Sequence, residues 1–277
     1  MELDTILIGD SAVVLKSLPD ESVDLTVTSP PYDNLRAYKG FVFDFETIAR
    51  ELYRVTKRGG VVAWVVGDAT TNGSESLTSF KQAIYFREQS GRTSQDIKNG
   101  ALRGFNLHDT MIYTKVNYAP VYPSLMRYAG VFEYMFVFSK GKPNTFKPIQ
   151  VERREKKVHL GNYLKPNGET ERGEAYIKRK SNSYEKETKD ATNVWSYSVG
   201  GGKRLHPAPF PEQLAHDHIV SWSNEGDTVL DCFAGSGTTL KMAKMLNRHY
   251  IGIEISPEYA ELAQKRVDGL HEQTELK

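Results

Sequence analysis

"VVAWVV", Val61 to Val66, leaves a strand no face for water. A strand apolar on both sides has to be covered on both, which is the condition of a parallel sheet layered with helices. Comparable short runs recur as "DTILIGD", "VDLTVTS", "DTMIYTKV", "FEYMFVFSK", "DTVLDCF" and "YIGIEIS". Stretches of helical period lie between them. "FDFETIARELYRVTK" sets Phe45, Ile48, Leu52 and Val55 on one side, and "RGG" reads as its close. "FPEQLAHDHIVSWS" and "TTLKMAKMLNR" read as helices. "SPEYAELAQKRVDGL" reads as a final helix, with Ser256 at the N-cap and Pro257 at its first position. Strands alternating with helices predict an α/β protein with a mostly parallel sheet.

The alternation stops between residues 140 and 192. This stretch is polar, has few aliphatic anchors and carries the clusters "ERREKK" and "IKRK". From Lys140 to Asp190 there are 14 Lys and Arg against 8 Asp and Glu, a surplus of +6 in a chain of net charge +1. The segment reads as an insertion facing a polyanion. A solvated insert without a fold has the same composition. The α/β pattern resumes afterwards, so both ends of the chain are expected to build one sheet. No apolar run approaches the roughly 18 residues of a membrane span. The acidic start "MELDTILIGD" lacks the basic opening of a signal peptide, and a cytoplasmic protein is expected. A single cysteine, Cys232, rules out an intrachain disulfide and a thiolate zinc site. The seven histidines do not cluster, so no metal is expected.

Two motifs carry chemistry. "TSPPY", Thr28 to Tyr32, ends the run "VDLTV". Proline has no N–H and a fixed φ, so the strand stops there. Ser29 and Pro30 each precede a proline and are held extended. The segment is stiff and rich in acceptors, though by itself it reads as a strand-terminating turn. "DCFAGSGTT" follows a strand and opens a helix, and its glycines let the backbone turn tightly and approach a ligand. Glu254, 19 residues after Gly235, ends the next strand. An acid there, partly exposed, accepts hydrogen bonds from ribose hydroxyls. A dinucleotide fingerprint wants a third glycine where Leu240 stands.

Together the motifs resemble the amino-group DNA methyltransferases that use S-adenosylmethionine, in their β arrangement. In that family a catalytic [DNS]PP[YFW] motif comes first, target recognition second and "FxGxG" last. Here the order is "TSPPY", the basic stretch, then "FAGSGTT". "HPAPFPEQLA", "IGIEISPEY", "RVTKRGGVVAWVVGD" and "GFNLHDTMIYTK" are similar to further family segments, and "FEYMFVFSKGK" departs slightly from the "YEH" type. The resemblance implies a Rossmann-like methyltransferase fold, circularly permuted, with a mostly parallel seven-stranded sheet. Residues 1–139 would be its catalytic part, 140–192 a target-recognition insertion and 193–277 its cofactor part. It implies double-stranded DNA as substrate and S-adenosylmethionine as cofactor. A second copy in a homodimer and a cognate restriction endonuclease are the partners it suggests.

The resemblance also distributes roles. The Ser29 hydroxyl and the Pro30 carbonyl would hold the N–H groups of an exocyclic amine, stiffened by Pro31, with Tyr32 stacking on a base taken out of the duplex. Gly235 and Gly237 would admit the methionine part of the cofactor, with Thr238 beside them. Glu254 would bind the ribose, and Asp231 and Phe233 would line the pocket. Asp10 matches the position near the adenine amino group, or else caps a turn. Phe210 packs on the cofactor, or else only leads into a helix. Arg153, Arg154, Lys156 and Lys157 are candidates for phosphate contacts. Methylation at cytosine C5 needs a cysteine beside a catalytic proline, and Cys232 sits in the glycine motif instead. Ser29 and "HPAPFP" resemble the cytosine-N4 members more than the adenine-N6 members, which usually carry aspartate or asparagine at the serine's place. Cytosine N4 is therefore the expected target and adenine N6 the alternative. A nicotinamide oxidoreductase would leave "TSPPY" unexplained, and a non-catalytic DNA-binding module would explain neither motif.

Overall fold

The computed structural model describes residues 1–31, 43–116, 126–152, 162–164, 170–172, 188–198 and 211–269. The chain divides into two units, one of Met1–Lys147 with Asn193–Lys277 and one of Pro148–Thr192. The described residues of the larger unit build a sheet of eight strands. In chain order these are β1 Thr5–Ile8, β2 Val23–Thr28, β3 Thr56–Val66, β4 Asn106–Lys115, β5 Phe132–Ser139, β6 Val194–Tyr197, β7 Thr228–Asp231 and β8 His249–Glu254. Across the sheet they run β1-β8-β7-β2-β3-β5-β4-β6. Every neighbouring pair is parallel except those made by β5, which is antiparallel to β3 and β4. The described helices are α1 Ser11–Val14, α2 Phe45–Val55, α3 Thr78–Glu88, α4 Ser94–Asn99, α5 Glu212–Trp222, α6 Thr238–Met245 and α7 Pro257–Asp268. Among the described residues no helix is long and apolar enough to cross a membrane.

Alternate residues of β3 feed two separate cores, as the period of a strand requires. Val62, Trp64 and Val66 pack with Leu15, Ile48, Leu52, Phe86 and Phe138. Val61, Ala63 and Val65 pack with Leu214, Ile219 and Leu240 on the other face. Full burial of a side chain of this size contributes about 1.5–3 kcal/mol. The one polar atom of Trp64 is satisfied, since its indole N–H donates to Gln82 at 2.8 Å.

The structure corrects the sequence reading in four places. Among the described residues the sheet has eight strands rather than seven. The additional one, β6, is a four-residue edge strand, "VWSY", too short to show a period. "RGG" does not close α2. The helix ends at Val55 and the chain enters β3 at once, with the Thr56 hydroxyl donating to the Leu52 carbonyl at 2.6 Å. Gly59 takes a φ of +80°, and its neighbour Gly60 leaves room for the Asp24 carbonyl, where a Cβ would stand 2.9 Å away. These glycines serve an irregular strand pairing opposite Val23 and Leu25. The short helix α1, and α3 and α4, were not anticipated. In α3 Ala83 and Phe86 are buried while Phe80 and Ile84 are exposed, which erases the apolar stripe. The smaller unit begins at 148 and not at 140. Lys140, Asn144 and Lys147 donate backbone N–H bonds to Gly60, Gly59 and Ser221, so this stretch belongs to the sheet unit. The described residues of the smaller unit form two antiparallel ladders, Gln150–Glu152 with Thr188–Asp190 and Asn162–Leu164 with Thr170–Arg172.

Candidate active site at the carboxyl edge of the sheet

Strands β7 and β2 lie side by side, yet their connections leave in opposite directions. From β7 the chain passes through α6 to β8, and from β2 through α2 to β3 on the other side. Ligands of open α/β sheets bind at this kind of divergence, outside the carboxyl ends of the strands. Both motifs end there. Ser29, Pro30 and Pro31 follow β2 directly, with Pro30 buried and the two flanking residues half-buried. Residues 232–237 follow β7, Glu254 closes β8, and Asp10 stands just beyond β1. Tyr32, Phe210, Arg153, Arg154, Lys156 and Lys157 lie outside the described residues.

A buried polar network ties the two motifs together. The Thr28 hydroxyl donates to Asp231 Oδ1 at 2.6 Å, and the Phe233 amide donates to the same oxygen at 3.1 Å. The Thr239 hydroxyl, on α6, donates to the Val27 carbonyl at 3.1 Å. Ser11, at the start of α1, donates to the Cys232 carbonyl at 2.5 Å. Asp231 is only 2% exposed, so its place is beneath the turn. Burial pushes its carboxyl up to about 6, against the hydrogen bonds of Thr28 and the Phe233 amide, which favour the charged form. Burial likewise pushes the Cys232 thiol up, which suits an inert core side chain and not a nucleophile.

Glu254 is more enclosed than the sequence reading expected, at 8% exposure instead of partly open. Its Oε2 accepts from the Gly235 amide at 2.8 Å and its Oε1 from the Ser256 amide at 2.9 Å. Each carboxylate oxygen keeps a second lone pair, so the group is fixed and still able to accept. Gly235 and Gly237 have φ of +50° and +77°, a region that L side chains rarely adopt. Gly237 has a packing reason as well, since a Cβ there would stand 2.9 Å from that of Ala263 on α7. The Phe233 ring meets Phe43 edge-on at 5.6 Å and Trp64 at 6.1 Å. Asp10 acts as a cap, accepting from the Ala12 amide at 2.8 Å. It also lines an open cleft of about 700 Å³ with Val13, Phe43 and Phe45.

Residues 23–265 match a family model described as DNA methylase, of the N6/N4 type. The chain belongs to this family. The methylase is 48% identical to the orphan methyltransferase M.BamHII of Bacillus amyloliquefaciens, across 95% of this chain and 96% of that one. It is 27% identical to the type II methyltransferase M.SmaI of Serratia marcescens, across 95% and 90%. Its fold is shared with the cytosine-N4-specific PvuII DNA methyltransferase, at a TM-score of 0.66 and 22% identity over 94% of this chain and 85% of that one. A second structural relative is the DNA modification methylase TTHA0409 from Thermus thermophilus, complexed with S-adenosyl-L-methionine, at a TM-score of 0.57 and 26% identity over 95% and 92%. The methylase is thus an enzyme that methylates an amino group of DNA. The candidate site contains side chains that sequence reasoning passed over. Thr28 stands inside the quoted motif but reads as mere strand, and its partner Asp231 is 203 residues away. Thr239 was hidden in the same way, as one more residue of a helix.

Proposed function

We propose that this methylase transfers a methyl group from S-adenosylmethionine to the N4 amine of cytosine in DNA, acting on a base turned out of the duplex. The observation that carries the reading is the meeting of Ser29–Pro31 with the glycine turn where β2 and β7 diverge. The residues present fit the cofactor. Glu254 is held with lone pairs to spare for ribose hydroxyls, and Gly235 and Gly237 shape a turn on which a ligand can rest closely. Phe233 and Asp10 complete the set at the same edge. When bound, S-adenosylmethionine supplies a methyl group on a sulfonium leaving group.

The chain's own residues deal with the amine. Its lone pair is delocalised into the ring, so it is a weak nucleophile until the nitrogen pyramidalises. The Ser29 hydroxyl and the Pro30 carbonyl accept its N–H groups as positive charge develops, and one of those protons departs after transfer. The double proline fixes both acceptors in advance, so little reorganisation is needed. Tyr32 offers a ring to the extruded base, a contact of about 1–3 kcal/mol. The choice of cytosine rests on Ser29 in place of aspartate or asparagine. Target recognition is assigned to the basic unit Pro148–Thr192, with Arg153, Arg154, Lys156 and Lys157 on phosphates. The test is calorimetric binding of S-adenosylmethionine, labelled transfer to DNA, and mass spectrometry of the digested nucleosides. N4-methylcytosine is expected. N6-methyladenine alone would move the assignment to adenine.

A further inference from the structure

Three helices converge beside the glycine turn. Arg266, on α7, turns one guanidinium nitrogen onto it. That Nη1 donates to the Ser236 carbonyl at 3.2 Å, the Ser236 hydroxyl at 3.0 Å and the Thr238 hydroxyl at 3.2 Å. Its Nη2 donates to Glu212 Oε1, on α5, at 2.5 Å. Lys241, on α6, reaches the same oxygen at 2.8 Å. Burial opposes the charge on Glu212, but its hydrogen bonds to Lys241 and Arg266 hold the carboxyl below its ordinary value. The turn needs such outside support. The N-cap of α6 is Gly237, which has no side chain of its own to cap that end. A planar guanidinium can hold several acceptors in one fixed geometry, which an ammonium cannot.

We infer that Arg266, steadied by Glu212, is a positioning residue that sets the backbone of the Ser236–Thr238 turn for cofactor binding. The inference rests on reading this turn as the S-adenosylmethionine site. Arg266 lies one residue past the span matched by the family model. A merely structural arginine would lower the melting temperature when replaced and leave the affinity of the folded protein for the cofactor unchanged.

The experiment measures S-adenosylmethionine binding by calorimetry on the full chain, with DNA affinity and thermal melting alongside. Arg266→Gln should weaken cofactor binding by about tenfold or more, the loss of charge-assisted bonds, and leave DNA affinity within about twofold. Arg266→Lys should recover only part of the loss. Glu212→Gln should give a smaller loss that adds nothing to that of Arg266→Gln, as expected of partners acting as one unit. A folded Arg266→Gln protein with wild-type cofactor affinity overturns the inference. If that variant does not fold, unchanged affinity in both Arg266→Lys and Glu212→Gln overturns it equally. Failure of the folded wild type to bind S-adenosylmethionine overturns the cofactor reading itself, and is told apart because it precedes any substitution.

Discussion

Glu254 is held by two backbone amides, and this decides what its loss would do. Glu254→Ala removes a charged acceptor and leaves the Gly235 and Ser256 amides without their partner. Cofactor affinity should fall by about 1.5–3 kcal/mol, with a lower melting temperature as well. Calorimetry and thermal scans of one preparation read both effects. Ser29→Ala should behave differently. Its hydrogen bond is needed chiefly as the amine pyramidalises, so kcat should fall about 10- to 100-fold while the dissociation constant for the cofactor stays put. Equal loss in both would assign Ser29 to binding. Asp231 gives a pH signature. Its native value of about 6 lies above the ordinary 3.8. The folded state therefore holds this proton more tightly than the unfolded chain. The stabilisation is full below pH 3.8 and is lost as pH rises through 6, by about 3 kcal/mol at about 1.4 kcal/mol per pH unit. Asp231→Asn should flatten the stability profile of the cofactor-free protein across that window. A variant with the wild-type slope there would show that another group titrates.

At the scale of elements, the turn before α6 is where local strain and packing coincide. Gly237→Ala would force a side chain into positive φ and against Ala263, at a cost of about 1–3 kcal/mol. A melting temperature equal to the wild type's would mean that α7 yields freely. What could be read of the elements beforehand depended on whether their signals were local. Ser256 and Pro257 announced α7 because a cap and its helix are neighbours in sequence, and the Ser256 hydroxyl does accept from Tyr259. "RGG" misled because a glycine ending a helix and a glycine in an irregular strand look alike until the partner strand is known. β6 gave no signal because its pairing with β4, a distant stretch of chain, makes it a strand.

For the whole molecule, the basic unit should act through charge. Replacing Arg153, Arg154, Lys156 and Lys157 with alanine should reduce the salt dependence of DNA binding by about four units of slope if each meets a phosphate. An unchanged slope in a titration followed by fluorescence anisotropy would remove the unit from the interface. The two motifs and their order were legible in the chain, since each is a short run with its own backbone logic. The ties between them were not. Thr28 finds Asp231 across 203 residues, and Arg266 reaches Glu212 across 54. That same separation governs when the enzyme comes into being. At about 5–20 residues per second of synthesis, roughly 10–40 s pass between the emergence of β2 and that of β7. In that interval β2 has no neighbour on the β7 side, and the acceptor segment has no turn opposite it. Contacts of such long range also close slowly. A nascent chain halted before Thr228 would carry the complete "TSPPY" segment and not one residue of the glycine turn, so on the proposed reading such a product should not mark DNA.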